Sequence, residues 1–253
     1  VTPTGEVVPE GATPIYDLIA QKANALAGKR KKLSKPQLIR RIKSRLTLPL
    51  GRNVPHYRCL RAVTEGKIRL ARYAIETEDN IRAIMRKRLA TPAYSHTLDV
   101  ESEVHLYLPH VSSEQDLIED RWAVTLKNQH PLYALDVRGL GESLTSDERE
   151  LFHPYGNDYM CNGYGLLLGE SFLGRRVHDV LSTLDLLVAE GAKKIHLYGR
   201  GQGAVHALFA GILHDKVNSV TLKNGPISYH AWTQTPLVNW PASNLPQGVL
   251  KDF

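Results

Sequence analysis

The run Ile195 to Leu213, IHLYGRGQGAVHALFAGIL, constrains the chain more than any other. A β-prone segment enters Gly199-Arg200-Gly201-Gln202-Gly203 and leaves at once into a helix-forming segment. Flanking glycines let the helix pack close behind the strand, and the central position must tolerate an unfavourable φ and ψ. Gly201 meets that backbone demand and supplies no side-chain oxygen.

The rest of the chain predicts elements to match. Residues 1–14, with Pro3, Pro9, Gly11 and Pro14, read as an extended arm. Ile15 to Leu26 suits a helix ended by Gly28. Ser34 and Gln37 form a capping box for a second helix, with Pro36 in its first turn and Leu38, Ile39, Ile42 and Leu46 along one face. YRCLRAV, IRLARYAIETE and IRAIMRKRL predict two or three successive antiparallel strands. A strand over Glu103 to Val111 should lead into one helix capped by Ser113 and running past Trp122 to Leu126. PLYALDVRG ends a strand at Gly139 and is followed by a long loop. Val177, Val180, Leu181, Leu184, Leu187 and Val188 then mark one face of a helix stopped by Gly191, with Asp179 and Asp185 on the opposite side in a solvated or loop-binding role. KKIHLYG and VNSVTLKNG are strands flanking a helix from Ala204 to Leu213.

Strands alternating with helices predict an α/β fold: a mixed sheet, mostly parallel after an antiparallel start, with helices on both faces. Residues 1–52 form a basic arm with helices, and 53–253 the α/β domain. Within it 228–253, with Trp232, Pro236, Trp240, Pro241 and Pro246, reads as a lid or irregular excursion over the sheet edge.

A chain of 253 residues with 42% hydrophobic content can bury one sizeable core. No run approaches the roughly 18–20 apolar residues of a membrane span, and no basic-then-apolar targeting segment is visible at the start. Cys59 and Cys161 are too few and too far apart for a disulfide framework or a CxxC metal knuckle, so they read as small buried thiols. Neither metal nor other cofactor is implied. The net charge of +6 is uneven, because thirteen Lys/Arg and no acid lie between Leu18 and Thr64. The other 19 basic residues face 26 acidic ones, a balance of −7. A basic cluster can bind phosphate backbones or acidic polysaccharide. No helix-turn-helix, zinc finger or aromatic RNA-binding motif accompanies it, which favours a solvated face touching the acidic remainder over nucleic acid as partner.

Upstream of the glycine turn, LDVRGLGES (Leu135 to Ser143) closes one strand and GRRVHDVLSTLDLLVAEG forms the intervening helix. In this order the segments resemble the α/β-hydrolase superfamily, and within it the acetyl xylan esterase and cephalosporin C deacetylase group of carbohydrate esterases, over about Tyr57 to Tyr229. The resemblance implies that Gly199 to Gly203 is the nucleophile elbow G-x-S-x-G, with Gly201 at the serine's position. It implies an oxyanion hole from the backbone N–H of Gln202 and one near His110 or Val111. It further implies a saccharide ester or other small-molecule ester as ligand, deacetylation as the reaction, and a secreted or periplasmic setting. The family's acid and histidine follow two further strands beyond VNSVTLKNG, so the sheet is expected to stop short of its last strands.

Without serine, acid and histidine in place, the usual Ser-His-Asp mechanism is disfavoured. The site is expected at the C-terminal ends of the strands, around His110, Arg138, Gly201 and His230, with Arg138 and Arg200 as substrate-binding groups. His206 should pack inside its helix. Ser143 is a poor substitute nucleophile, because Thr145 and Glu148 make a capping box there.

Two other classes compete. A hydrolase scaffold without its nucleophile can act as a binding or assembly module, as a homo-oligomer or with a partner chain completing the sheet. Gly199-x-Gly201-x-x-Ala204 also satisfies the dinucleotide fingerprint G-x-G-x-x-G/A. That site wants an acid about 20 residues onward, where Lys223 and Asn224 stand, and it normally follows the first strand of its sheet.

Overall fold

The computed structural model describes residues 11–65, 68–89, 97–144 and 158–253. Most of the expected arm and the whole Thr145–Glu148 capping box lie outside them. Helix α1 (Ile15–Lys29) and helix α2 (Lys35–Arg45) form the basic segment. The capping box of Ser34 and Gln37 is present, and Pro36 occupies the first turn. Ile42 and Leu46 are buried in the main core, which anchors α2 to the rest of the chain.

Strands β1 (Tyr57–Glu65), β2 (Ile68–Glu78) and β3 (Ile81–Leu89) run antiparallel, as their alternation predicts. They continue into one seven-stranded sheet of order β1-β2-β3-β5-β4-β6-β7. β3 pairs antiparallel with β5 (Leu132–Asp136), and β5, β4 (Glu103–Leu108), β6 (Lys194–Arg200) and β7 (Val217–Lys223) are mutually parallel. The fold is therefore the expected mixed sheet, parallel in its core, with helices on both faces. β4 stops at Leu108, short of Val111, because Pro109 has no N–H for the ladder. β5 likewise ends at Asp136, ahead of Gly139.

The helix expected after β4 is two helices, α3 (Ser113–Glu119) and α4 (Arg121–Gln129). Ser112, and not Ser113, caps the first. The break comes from Asp120, whose side chain accepts hydrogen bonds from the N–H groups of Trp122 and Ala123 and so starts a new helix. The pair returns the chain to β5, between β3 and β4. The next crossover, through α5 (Asp158–Leu168) and α6 (Phe172–Ala189), places β6 on the other flank of β4. The chain thus changes direction about β4, which makes the C-terminal ends of β4, β5 and β6 a topological switch point.

One face of the sheet buries Val104, Leu106, Leu135, Ile195 and Leu197 against α6 and α7 (Gln202–Leu213). The other buries Tyr107, Leu132 and Ala134 under Leu117, Ala123 and Leu126 of α3 and α4. α6 is buried on nearly every side, and of the solvated and loop-binding roles expected for Asp179 the structure shows the second, with the Arg138 backbone N–H of the loop after β5 donating to its carboxylate. Asp179 is 0% exposed. It lies opposite the apolar stripe, yet that side is covered by Thr77 of β2 and by Arg138. Asp185, six residues further along the helix, stays partly exposed and pairs with Arg52.

The 228–253 segment is irregular, with a short helix α8 (Tyr229–Trp232) and two 3₁₀ turns, but it does not cover the sheet edge. β7 is largely exposed along its length. The segment instead packs inward: Ser243, Asn244 and Val249 are buried, Trp240 and Phe253 join the main core, and Asp252 pairs with Arg45 and Arg41 of α2. Among the described residues no helix is long and apolar enough to cross a membrane.

Candidate functional site

The glycine turn is a strand-turn-helix, as expected. β6 ends at Arg200, Gly201 is the N-cap with φ 57 and ψ −119, and α7 starts at Gln202. The flanking glycines are enforced by contact. A Cβ on Gly199 would lie 2.4 Å from the carbonyl oxygen of Gly203, and one on Gly203 would lie 2.0 Å from that of Leu108. Backbone bonds from Gly201 N–H to Lys223 O (2.9 Å) and from Gly203 N–H to Pro109 O (3.1 Å) fix the turn between β7 and the loop after β4.

His110, on that loop, closes over the turn. A Cβ on Gly201 would lie 2.3 Å from His110 Nδ1 and 2.7 Å from Cγ, so the imidazole fills the space a side chain there would need. The backbone N–H of Gln202 donates to His110 Nδ1 (3.2 Å), and the Gln202 side-chain amide donates to the His110 carbonyl (2.9 Å). The backbone N–H of His110 donates to Asp116 Oδ2 (3.2 Å). Of the donors expected for an oxyanion hole, at Gln202 and at His110 or Val111, those of Gln202 and His110 are thus engaged within the protein. The carbonyl of Val111 accepts from Gly141 N–H (2.8 Å). Burial, reinforced by the Arg200 charge, holds the His110 imidazole below the usual histidine pKa. A neutral ring accepting through Nδ1 agrees with that shift. Trp240 approaches His110 edge-on, with ring centroids 6.2 Å apart.

Behind the turn lies a buried polar network that the sequence reading missed. Arg176, 1% exposed, donates to Gln202 Oε1 (3.1 Å) and Ser243 Oγ (2.8 Å) and pairs with Asp158 (3.0 Å). Asn244 Nδ2 also donates to Gln202 Oε1 (3.0 Å). The signal was present: Arg176 falls on the stripe of Leu173, Val177 and Val180, and a charge on a buried stripe demands a partner. Asp158 and Ser243 lie in segments without periodicity, so nothing marked them.

The other expected site residues are placed elsewhere or tied up. Arg138 is held by Asp179 through its backbone N–H and guanidinium, and by Glu78 (2.9 Å). Arg200 pairs with Asp116 and Asp120, each at 2.9 Å, and Lys223 reaches the same Asp120 (3.3 Å). His230 does not face the turn; its Nε2 meets Asn24 Oδ1 of α1 at 2.8 Å. His206 packs inside α7 as expected, and burial drives its pKa well below the usual value, with the Arg176 charge adding to it. Ser143 Oγ donates to the carbonyls of Arg82 and Asp136, a loop-holding role. Both cysteines are half-buried and free, and burial raises both thiols. Among the described residues no cluster of His, Cys, Asp and Glu is arranged to hold a metal ion. A cavity of about 730 Å³ beside Lys43, Leu50, Arg52 and Asp185 sits near the C-terminal end of α6, at the opposite end of the sheet from the glycine turn.

No family model matches the chain, and no curated protein matches it. Solved structures do. A protein of Bacteroides fragilis NCTC 9343, provisionally named an acetyl xylan esterase, superposes with a TM-score of 0.57 at 15% identity, over 84% of this chain and 61% of its own. Acetyl xylan esterases of Paenibacillus sp. R4 and Thermoanaerobacterium sp. JW/SL YS485 give TM-scores of 0.42, at 18% and 11% identity, over 84% of this chain and 60% and 57% of theirs. The likeness to the Bacteroides fragilis structure agrees with the sheet order in showing an α/β-hydrolase-like fold, and this chain spans about three fifths of the length of these three structures.

Proposed function

We propose that this is a hydrolase-fold protein of the carbohydrate-esterase kind whose nucleophile elbow is degenerate, and that it binds or assembles and does not perform acyl transfer through a serine. One observation carries the reading: the His110 imidazole stands where the nucleophile's side chain would project, and accepts the Gln202 N–H that would stabilise an oxyanion. Acyl transfer needs both a nucleophile and free donors aimed at the developing charge.

The likeness in fold to acetyl xylan esterases supports an acylated saccharide as the ligand class. The exposed strand β7, last in the sheet, supports the assembly half of the reading, because an edge strand offers unpaired N–H and C=O groups to a partner strand. The dinucleotide reading finds less support. The fingerprint follows the sixth strand in chain order, and the helix N-terminus that would meet a pyrophosphate is occupied by His110.

The test is hydrolysis of a small aryl acetate and of acetylated xylan by the wild type and by Gly201→Ser, with intact mass recorded after a fluorophosphonate probe. Calorimetric titration with acetylated xylo-oligosaccharide accompanies it. Neither protein should turn over or gain mass, while the saccharide binds. Turnover by an unlabelled wild type would overturn the non-catalytic reading; absence of saccharide binding would remove the ligand class and leave assembly.

A further inference from the structure

The cavity of about 730 Å³ is bounded by the end of α2, by loop residues 47–54 and by the last turns of α6. The loop and α6 give it aliphatic surface in Leu48, Pro49, Leu50, Val54 and Val188. Leu48 and Val188 also pack against the main core, whereas Leu50 is fully exposed and Val54 about half exposed. α2 adds Lys43 and Ser44, and the loop adds Arg52. A second cavity, of about 480 Å³, shares Pro49, Gly51, Arg52 and Val54 with the first and reaches Glu76 and Thr77 of β2. The loop thus stands between two spaces that the protein leaves unfilled. Among the described residues, 49–55 make no backbone–backbone hydrogen bond, and their polar tie to α6 is the pair of Arg52 with Asp185.

The charges in the first cavity do not cancel. Lys43 and Arg52 meet one carboxylate, Asp185, and no Asp or Glu occurs from Leu18 to Thr64, so neither α2 nor the loop supplies another. Asp185 is engaged on both sides: Arg52 Nε donates to its Oδ2 (2.7 Å), and His214 Nε2 lies 3.3 Å from its Oδ1. Among the described residues Lys43 has no ion pair or hydrogen bond, the Ser44 hydroxyl has no partner, and Arg52 bonds through Nε and Nη2 with Nη1 left over. Nor does the end of α6 offer free acceptors to a cation. The carbonyls of Leu186, Leu187 and Val188 accept from the N–H groups of Glu190, Ala192 and Gly191. An ammonium, a guanidinium edge and a hydroxyl in an aliphatic cleft complement an anion that carries an apolar body. The volume falls within the ~300–1,000 Å³ of small-molecule sites. A nucleic-acid backbone is met instead by rows of cations, and the aliphatic wall would have no counterpart in such a contact.

We infer that this cavity binds an amphiphilic monocarboxylate, its head group taken by Lys43, Ser44 and Arg52 and its aliphatic body covering Leu50, Val54 and Val188. The site goes beyond the reading of the elbow and does not depend on it.

Calorimetric titration with octanoate, octanol and octyltrimethylammonium tests it. Octanoate should bind at one site per chain, octanol about tenfold more weakly and the cation not at all. Hydrogen exchange over 47–54 should slow when octanoate is bound. Lys43→Gln and Leu50→Gln, both at exposed positions, should each weaken octanoate about tenfold with unchanged melting points, and Lys43→Arg should retain it. Should either Gln variant lower the melting point, Ser44→Phe, which fills the cleft from an exposed helix position, takes its place and should abolish binding. Leu237→Gln, an exposed leucine outside the cavity, is the control and should bind as the wild type does. Absence of saturable octanoate binding overturns the inference. So does binding that Lys43→Gln leaves unchanged, or that Leu237→Gln weakens equally. Octanol or octyltrimethylammonium binding as tightly as octanoate would mean that the cleft does not select an anion, and likewise overturns it.

Discussion

The imidazole of His110 and the missing side chain of Gly201 occupy the same space: a Cβ on Gly201 would come within 2.3 Å of His110 Nδ1. The glycine is thus matched to its neighbour, and restoring a serine means both straining the backbone and displacing the ring.

Gly201→Ser should therefore destabilise the protein without creating an esterase. A side chain at φ 57 and ψ −119 costs about 1–3 kcal/mol, and a displaced ring leaves the Gln202 N–H unsatisfied at a cost of about 1–3 kcal/mol. Urea denaturation should show a loss of about 2–6 kcal/mol. Adding His110→Ala removes the clash, so the double variant should be more stable than the sum of the two single losses predicts, by about 1 kcal/mol or more. A Gly201→Ser protein as stable as the wild type would refute the steric argument.

Two aspartates of α6 should behave differently. Asp179 is buried and accepts from Thr77, the Arg138 backbone and the Arg138 guanidinium. Asp179→Ala leaves the largely buried Arg138 guanidinium with Glu78 alone and Thr77 without its acceptor, and should cost about 3 kcal/mol. Asp185 is a partly exposed partner of Arg52 and His214, and Asp185→Ala should cost no more than about 1 kcal/mol. Equal losses in urea would show that burial does not separate them.

That contrast also marks what the sequence could disclose. The glycine turn, the capping box at Ser34, the three antiparallel strands and the parallel strands after them rest on local pattern, and local pattern survives folding. The burial of Asp179 is not legible in the sequence because periodicity reports one apolar stripe and says nothing of a second cover, here Thr77 and Arg138. The outward-facing α5 was read as loop, since its leucines and tyrosines show no inward stripe. His110 stood among the expected site residues for its backbone N–H; the ring's position over Gly201 depends on how the loops after β4 and β6 meet, which neither loop encodes alone.

Docking of the basic segment should hinge on a single glycine. A Cβ on Gly174 of α6 would lie 1.7 Å from the carbonyl oxygen of Leu46, at the end of α2. Backbone cannot yield as a flexible side chain does, so Gly174→Ala should push α2 away and loosen the burial of Ile42 and Leu46. The expected loss is about 3 kcal/mol. Trypsin should then cut faster at Arg40, Arg41 and Lys43, while hydrogen exchange in β4 and β6 changes little. Unaltered cleavage would mean that α2 is held by something other than this contact.

Acid sensitivity should be traceable to His206. The side chain is 1% exposed, its Nε2 has no hydrogen-bond partner among the described residues, and burial keeps the imidazole neutral far below its usual pKa. In the unfolded chain the same ring takes up a proton near pH 6.5. Below that pH the unfolded state binds more protons than the folded one, so stability is whole above about pH 6.5 and falls as the solution is acidified. Each such histidine contributes a slope of up to about 1.4 kcal/mol per pH unit. His110 and His178 are also shifted downward by burial and add to the slope. His206→Leu removes one titrating group from the unfolded state, so its stability between pH 6 and pH 5 should decline less steeply than that of the wild type, by about one proton's worth of slope. Parallel pH profiles for the two proteins would mean that the folded state accommodates a charged His206, and that the buried ring is not what acid attacks.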